Sequence, residues 1–257
     1  LQVILSGLLC FSYSDSQGQH KTGQQTVYKQ EEESDAICDI VSFCRFAKIV
    51  DKDGYVNIRK TESEKGKVIG IVKSGAVVFI LEDSDKDWLS VRVSSEHHED
   101  LVGFLHRSRI RYINSYKQVP ILEYDDHSAN FSSQDIEVIV KTATFDYDTT
   151  KKYISKDKED FDTYKGKFML GTEGYASAAQ AMYKSIAVTI GNQTVNIPVQ
   201  DLEDLFNANN QYAECYYDVA NRTLYLHLSN ADGAGSYSVL FIFKNGRYAR
   251  RKVELPF

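Results

Sequence analysis

Two residues in the C-terminal half have the types needed for nucleophilic catalysis: Cys215 as a thiol and His227 as its base. A nucleophile and its base must lie within hydrogen-bond reach, and on a β-hairpin this means sharing a face. If Leu224, Leu226 and Leu228 point into a core, the best pairing sets Cys215 opposite Leu226 and His227 opposite Glu214, on the other face. Cys215 therefore reads as a small core residue, and His227 with Glu214 as an exposed cross-strand pair. An acid-based site around Glu173, Asp201, Glu214 and His227 is the remaining catalytic arrangement. The chain has no His-Glu-x-x-His, no Gly-x-Ser-x-Gly and no phosphate-binding glycine loop.

Metal chemistry finds few ligands. The four cysteines, Cys10, Cys38, Cys44 and Cys215, do not form the two close pairs of a zinc site. Cys38 and Cys44 have the spacing to close a short disulfide loop in an oxidising compartment. His97 and His98 lie in the acidic SSEHHED stretch, which reads as a solvated loop. The SNADGAGS run at 229–236 offers Asn230 and Asp232 before Gly233, like the start of a calcium loop, but lacks its distant acidic ligand and reads as a turn. No metal or cofactor is expected. Arg247, Arg250, Arg251 and Lys252 crowd the last strand, where basic residues guard a sheet edge against aggregation. A net charge of −6 gives no global reason to bind nucleic acid.

The elements that carry these residues are mostly strands. Residues 1–14 read as a truncated secretory signal, an apolar run too short to span a bilayer. Export to the periplasm or outside the cell follows, with no membrane span left after removal of the signal. Leu9 before Cys10 argues against a lipoprotein anchor. Residues 15–45 read as a polar tether ending in a short helix. From 46 to 113, short strands at regular spacing predict a small β-barrel: Tyr55–Arg59, Val68–Val72, Ala76–Glu82, Asp87–Val93, Leu101–His106 and Arg109–Ile113. Residues 114–134, with Pro120, read as an interdomain linker. Residues 135–257 predict a second antiparallel-sheet domain with tight turns at Gly191-Asn192 and Asn245-Gly246 and a short helix over Val199–Phe206. The fold class is thus mainly β, a small barrel followed by a β-rich domain. Tyr212, Tyr216 and Tyr225 should share a polar strand face, free to stack on a ligand or covered by another element.

The segments GYVNIRK at 54–60, GKVIGIVKSGAVVFILE at 66–82, WLSV at 88–91 and GFLHRSRI at 103–110 resemble the bacterial SH3 domain family, over about a quarter of the chain. Lys60-Thr61-Glu62 stands where the family usually has Gly-Pro, and Phe104 where it usually has Trp. The resemblance implies an SH3-like barrel with an aromatic-lined groove for peptide or peptidoglycan ligands, formed by Tyr55, Asn57, Trp88, Phe104 and His106. The expected function is non-catalytic binding of a cell-wall peptide or an envelope protein. The alternatives are a cell-envelope hydrolase targeted by its barrel, and an inhibitor or immunity-like protein.

Overall fold

The computed structural model describes residues 44–82, 87–94, 99–177, 180–230 and 233–255. The signal, most of the tether with its helix, Cys38 of the expected disulfide, His97, His98 and Asp232 lie outside the described residues. No helix among those described is long and apolar enough to cross a membrane.

The N-terminal domain has seven strands: β1 (Phe46–Ile49), β2 (Tyr55–Arg59), β3 (Val68–Lys73), β4 (Val77–Glu82), β5 (Trp88–Val93), β6 (Leu101–His106) and β7 (Ile110–Tyr112). They form one antiparallel sheet in the order β3-β2-β6-β5-β4-β1-β7. Residues from all seven, among them Ile49, Ile58, Val72, Ile80, Leu89 and Leu105, enter a single core, so the sheet curves around it. Alternation does the positioning. In β5, Leu89 and Val91 point in while Trp88, Ser90 and Arg92 point out. The β3–β4 turn uses Gly75 at φ +84°, a conformation that a Cβ would strain. Gly103 serves a different need, because a Cβ there would lie 2.7 Å from the Arg59 carbonyl oxygen and 2.7 Å from Ile58 Cγ2. Only a glycine lets β6 pass so close under β2.

The C-terminal domain starts earlier than its sequence suggests. The stretch read as a linker contains β8 (Lys117–Gln118), β9 (Ile121–Tyr124) and β10 (Ser128–Ser133), followed by β11 (Ile136–Thr144). Val119, Ala129 and Phe131 anchor these strands in the core, and the polar residues between them face outward. A one-turn helix α1 (Tyr147–Thr150) and a small sheet of β12 (Ile154–Lys156), β13 (Asp162–Tyr164) and β14 (Lys167–Phe168) follow. The remaining strands are β15 (Ala181–Ile190), β16 (Gln193–Asn196), β17 (Ala213–Asp218), β18 (Thr223–Asn230), β19 (Tyr237–Lys244) and β20 (Arg247–Glu254). Two five-stranded antiparallel sheets result, β16-β15-β11-β10-β9 and β20-β19-β18-β17-β8. They face each other across a core in which Val138, Val140 and Ile186 meet Leu224, Leu226 and Phe241.

The helix expected over Val199–Phe206 is only a 3-10 turn at Val199–Asp201. Leu202, Leu205 and Phe206 are buried as the spacing predicts, but Leu205 bridges to Leu170 and Phe206 to Met182. Those sheet-like bonds draw the backbone away from the i→i−4 ladder a helix needs.

The second sheet is buried on both faces. Its outer face brings Tyr216, Tyr225, Leu240 and Ile242 against Cys44, Phe46, Val77, Phe79, Ile113 and Tyr116 of the N-terminal half. The face expected to be polar, with Tyr216 and Tyr225 on it, is therefore the seam between domains; Tyr212 alone of the three tyrosines remains exposed. Lys48 reaches across to Asp218 at 2.9 Å, and Arg92 to Glu254 at 3.3 Å. With strand β8 already paired to β17 at residue 117, no free linker separates the domains.

Candidate ligand-binding face

Docking through β1 and β4 fixes which side of the N-terminal domain stays open. Val77, Phe79 and Phe46 face the seam, and the outer faces of β2, β6 and the Trp88 end of β5 are left to solvent. The burial alternation of β2 turns Val56 and Ile58 inward and Tyr55, Asn57 and Arg59 outward. In β6 it turns Leu105 inward and Val102, Phe104 and His106 outward.

All five residues expected at the groove, Tyr55, Asn57, Trp88, Phe104 and His106, thus point outward from the barrel core. Trp88 pairs with His106 across the β5–β6 ladder, the rings meeting edge to face at 5.5 Å. His106 is fixed from behind by Ser108, whose Oγ lies 2.8 Å from its Nδ1. Phe104 lies opposite Ser90 on one side and Arg59 on the other. Asn57 lies opposite Ile71, and Tyr55 opposite Lys73. Tyr55 is the most exposed aromatic of the set at 47%. Trp88, Phe104 and His106 are half-buried, which presents ring surface already held in place.

Sequence reasoning missed three members of this face. Ile71 is 65% exposed and Val102 50% exposed, and Arg59 is held over the face by a 2.8 Å hydrogen bond from its Nη1 to the Gly66 carbonyl. The alternation of β2 and β6 places Arg59 and Val102 outward, and the register to Asn57 would have placed Ile71.

The catalytic candidates are dispersed. The β17–β18 register pairs Cys215 with Leu226 and Glu214 with His227, as the leucine spacing predicts. Cys215 is sealed in the sandwich core, where burial pushes its thiol far up. His227 is not an exposed surface partner: it is wholly buried in the seam, edge to face with Phe46 at 5.9 Å. Its Nδ1 lies 2.9 Å from Glu214 Oε2, while Tyr216 donates its hydroxyl to Glu214 Oε1 at 2.9 Å. Asp201 accepts from the Tyr248 hydroxyl at 2.6 Å, and Glu173 lies beside Gly235, where an added Cβ would meet its Cγ. The four acid-base candidates do not converge.

Three other carboxylates, Asp100, Asp204 and Glu254, do line one cleft of about 590 Å³ at the junction of the domains. Asp204 accepts both Arg251 Nη1 and Nη2 at 2.6 Å, a bidentate pair. Glu254 is pushed up by burial, against the opposing pull of Ser94, Lys252 and Arg92. Among the described residues, no group of three or more His, Cys, Asp or Glu side chains is arranged to hold a metal ion. No family model matches this chain, and no curated protein and no solved structure is similar enough to count as a match.

Proposed function

We propose that the chain is an exported, non-catalytic binding protein whose N-terminal domain is a bacterial SH3-type barrel recognising a peptide of the cell envelope. The observation that supports this reading is that Tyr55, Asn57, Trp88, Phe104 and His106 all point outward from β2, β5 and β6, with Trp88 beside His106. An aromatic platform with a few polar groups suits a peptide, whose side chains stack and whose amides hydrogen-bond. The C-terminal sandwich packs on Phe46, Val77 and Phe79 of the barrel and on none of these five residues. Its own aromatic face is spent on the seam, so one recognition surface serves the molecule rather than two surfaces on a flexible tether.

A hydrolase reading has one specific observation in its favour, the cleft shared by Asp204 and Glu254. A carboxylate bound by Arg251, in the same cleft as a carboxyl that burial pushes up, gives two carboxyl groups in unlike surroundings, as acid-base pairs have. Structural ion pairing accounts for the same contacts, Asp204 with Arg251 inside the C-terminal domain and Glu254 with Arg92 across the seam.

One experiment separates the two. Purified peptidoglycan sacculi are incubated with the protein, and both the sedimented fraction and released soluble fragments are measured. Binding without release, lost in Trp88→Ala and Tyr55→Ala proteins that keep the wild-type circular dichroism spectrum, is the expected result. Release of fragments that disappears in Glu254→Gln would overturn it in favour of the hydrolase.

A further inference from the structure

The sheet of the N-terminal domain ends on strand β3, which pairs with β2 alone among the described residues. Its other edge presents backbone N–H and C=O groups without strand partners, the template on which an extended chain adds a strand. Protein edges are usually blunted. Edge strand β9 begins beside Pro120, and edge strand β20 carries Arg250, Arg251 and Lys252 within its length. Strand β3 has no proline, and its exposed side chains are Val68 at 41%, Ile71 at 65% and, only at its end, Lys73.

The charge around this edge is one-sided. Residues 59–73 carry Arg59, Lys60, Lys65, Lys67 and Lys73 against Glu62 and Glu64, five positive and two negative, a local balance of +3 in a chain of −6. The four lysines are exposed. Two copies of this edge would bring like charges together, which disfavours self-pairing and selects a partner of opposite sign.

We propose that β3 binds an acidic peptide in extended conformation, as an added antiparallel or parallel strand. Apolar side chains of the peptide cover Ile71 and Val68, and its carboxylates lie among Lys60, Lys65, Lys67 and Lys73. Across the ladder, Ile71 faces Asn57 and Lys73 faces Tyr55, so the added strand continues the aromatic face into a longer platform. The inference rests on the peptide-binding reading of that face and names the class of its ligand.

The test uses the full chain and three fluorescein-labelled heptapeptides read by anisotropy at low salt: Glu-Val-Glu-Val-Glu-Val-Glu, its Lys-for-Glu counterpart, and the acidic peptide N-methylated at alternate amides so that one ladder edge cannot form. The acidic peptide should bind at least about tenfold more tightly than either of the others. Ile71→Glu, a change at an exposed position, should weaken it by a similar factor. On binding, amide hydrogen exchange should slow within residues 68–73. Equal binding of the basic or N-methylated peptide, or protection appearing elsewhere, overturns the proposal. Absence of acidic-peptide binding while sacculi are still retained through Trp88 refutes strand addition alone; loss of both refutes the face as a peptide site.

Discussion

Leu240 lies in strand β19 of the C-terminal domain, yet its side chain is fully buried in the cluster shared with Phe46, Phe79 and Tyr116 of the other half. Leu240→Ala should therefore destabilise a domain to which it does not belong. A buried Leu→Ala change costs about 2–5 kcal/mol, depending on how far the site can collapse. Here both walls are stiff aromatic rings, with Phe46 and Phe79 locked edge to face at 5.1 Å and Tyr116 stacked on Tyr225 at 5.7 Å. Little collapse is available, so a loss of about 3 kcal/mol or more is expected. With a urea dependence of about 2 kcal/mol per molar, that moves the unfolding midpoint down by about 1.5 M. The single tryptophan, Trp88, lies in the N-terminal domain and reports on it alone. Its fluorescence should follow the same shifted transition as far-UV circular dichroism. A Trp88 transition left at the wild-type midpoint while the dichroism transition moves would show that the domains unfold independently, and the shared core would not be the energetic unit argued above.

Gly103→Ala should cost about 1–3 kcal/mol, because the new methyl meets the Arg59 backbone carbonyl at 2.7 Å and neither strand can move without its neighbours; the Trp88 urea transition measures it, and an unchanged midpoint would contradict the close crossing of β6 and β2. Asp218 gives a pH prediction. Burial pushes its carboxyl up, but hydrogen bonds from Lys48 and Asn221 outweigh this and hold it below the usual 3.8. A depressed folded value means stability that is complete above about pH 4 and is lost as pH falls through the folded value. The thermal midpoint of wild type should accordingly drop more steeply below pH 4 than that of Asp218→Asn, and parallel curves would rule out the Lys48 pairing as a source of stability.

How far the sequence reached is clearest on the β17–β18 hairpin. Leu224, Leu226 and Leu228 alternate, so one face had to be core, and the pairing of Cys215 with Leu226 followed from that alone. The same logic made the other face look solvated, because its residues are Tyr216, Tyr225, His227 and Glu214. They are buried, or nearly so, because they satisfy one another: Tyr216 and His227 both bond Glu214, and the rings of Tyr225 and Tyr116 stack. A network of this kind has the composition of a surface and the environment of a core. One signal did lie in the neighbouring strand. β19 reads YSVLFIFK, apolar at consecutive positions rather than alternate ones, as a strand covered on both faces must be. The residues 117–133 hid for the opposite reason: their strands are short, β10 has a polar outward face, and only Val119, Ala129 and Phe131 are fully buried in the core.

This misreading bears on function. A polar aromatic face on the sandwich would have been a second surface for ligand, and the chain a pair of modules on a linker gaining avidity from their separation. Once that face is the seam, the aromatic residues divide by role. Tyr116, Tyr216 and Tyr225 join the domains, and the Tyr116 hydroxyl, pushed up to about 12 by burial, stays neutral beside Asp218. Tyr55, Trp88 and Phe104 point outward from the same domain and are not among the residues packed in the seam. In the binding function proposed above, recognition then depends on how rigidly the sandwich holds β1 and β4, since β4 contributes Ile80 and Val78 to the barrel core and Phe79 and Val77 to the seam. Under that proposal, a ligand on the outer face and the packing of Leu240 both bear on β4, a strand six residues long.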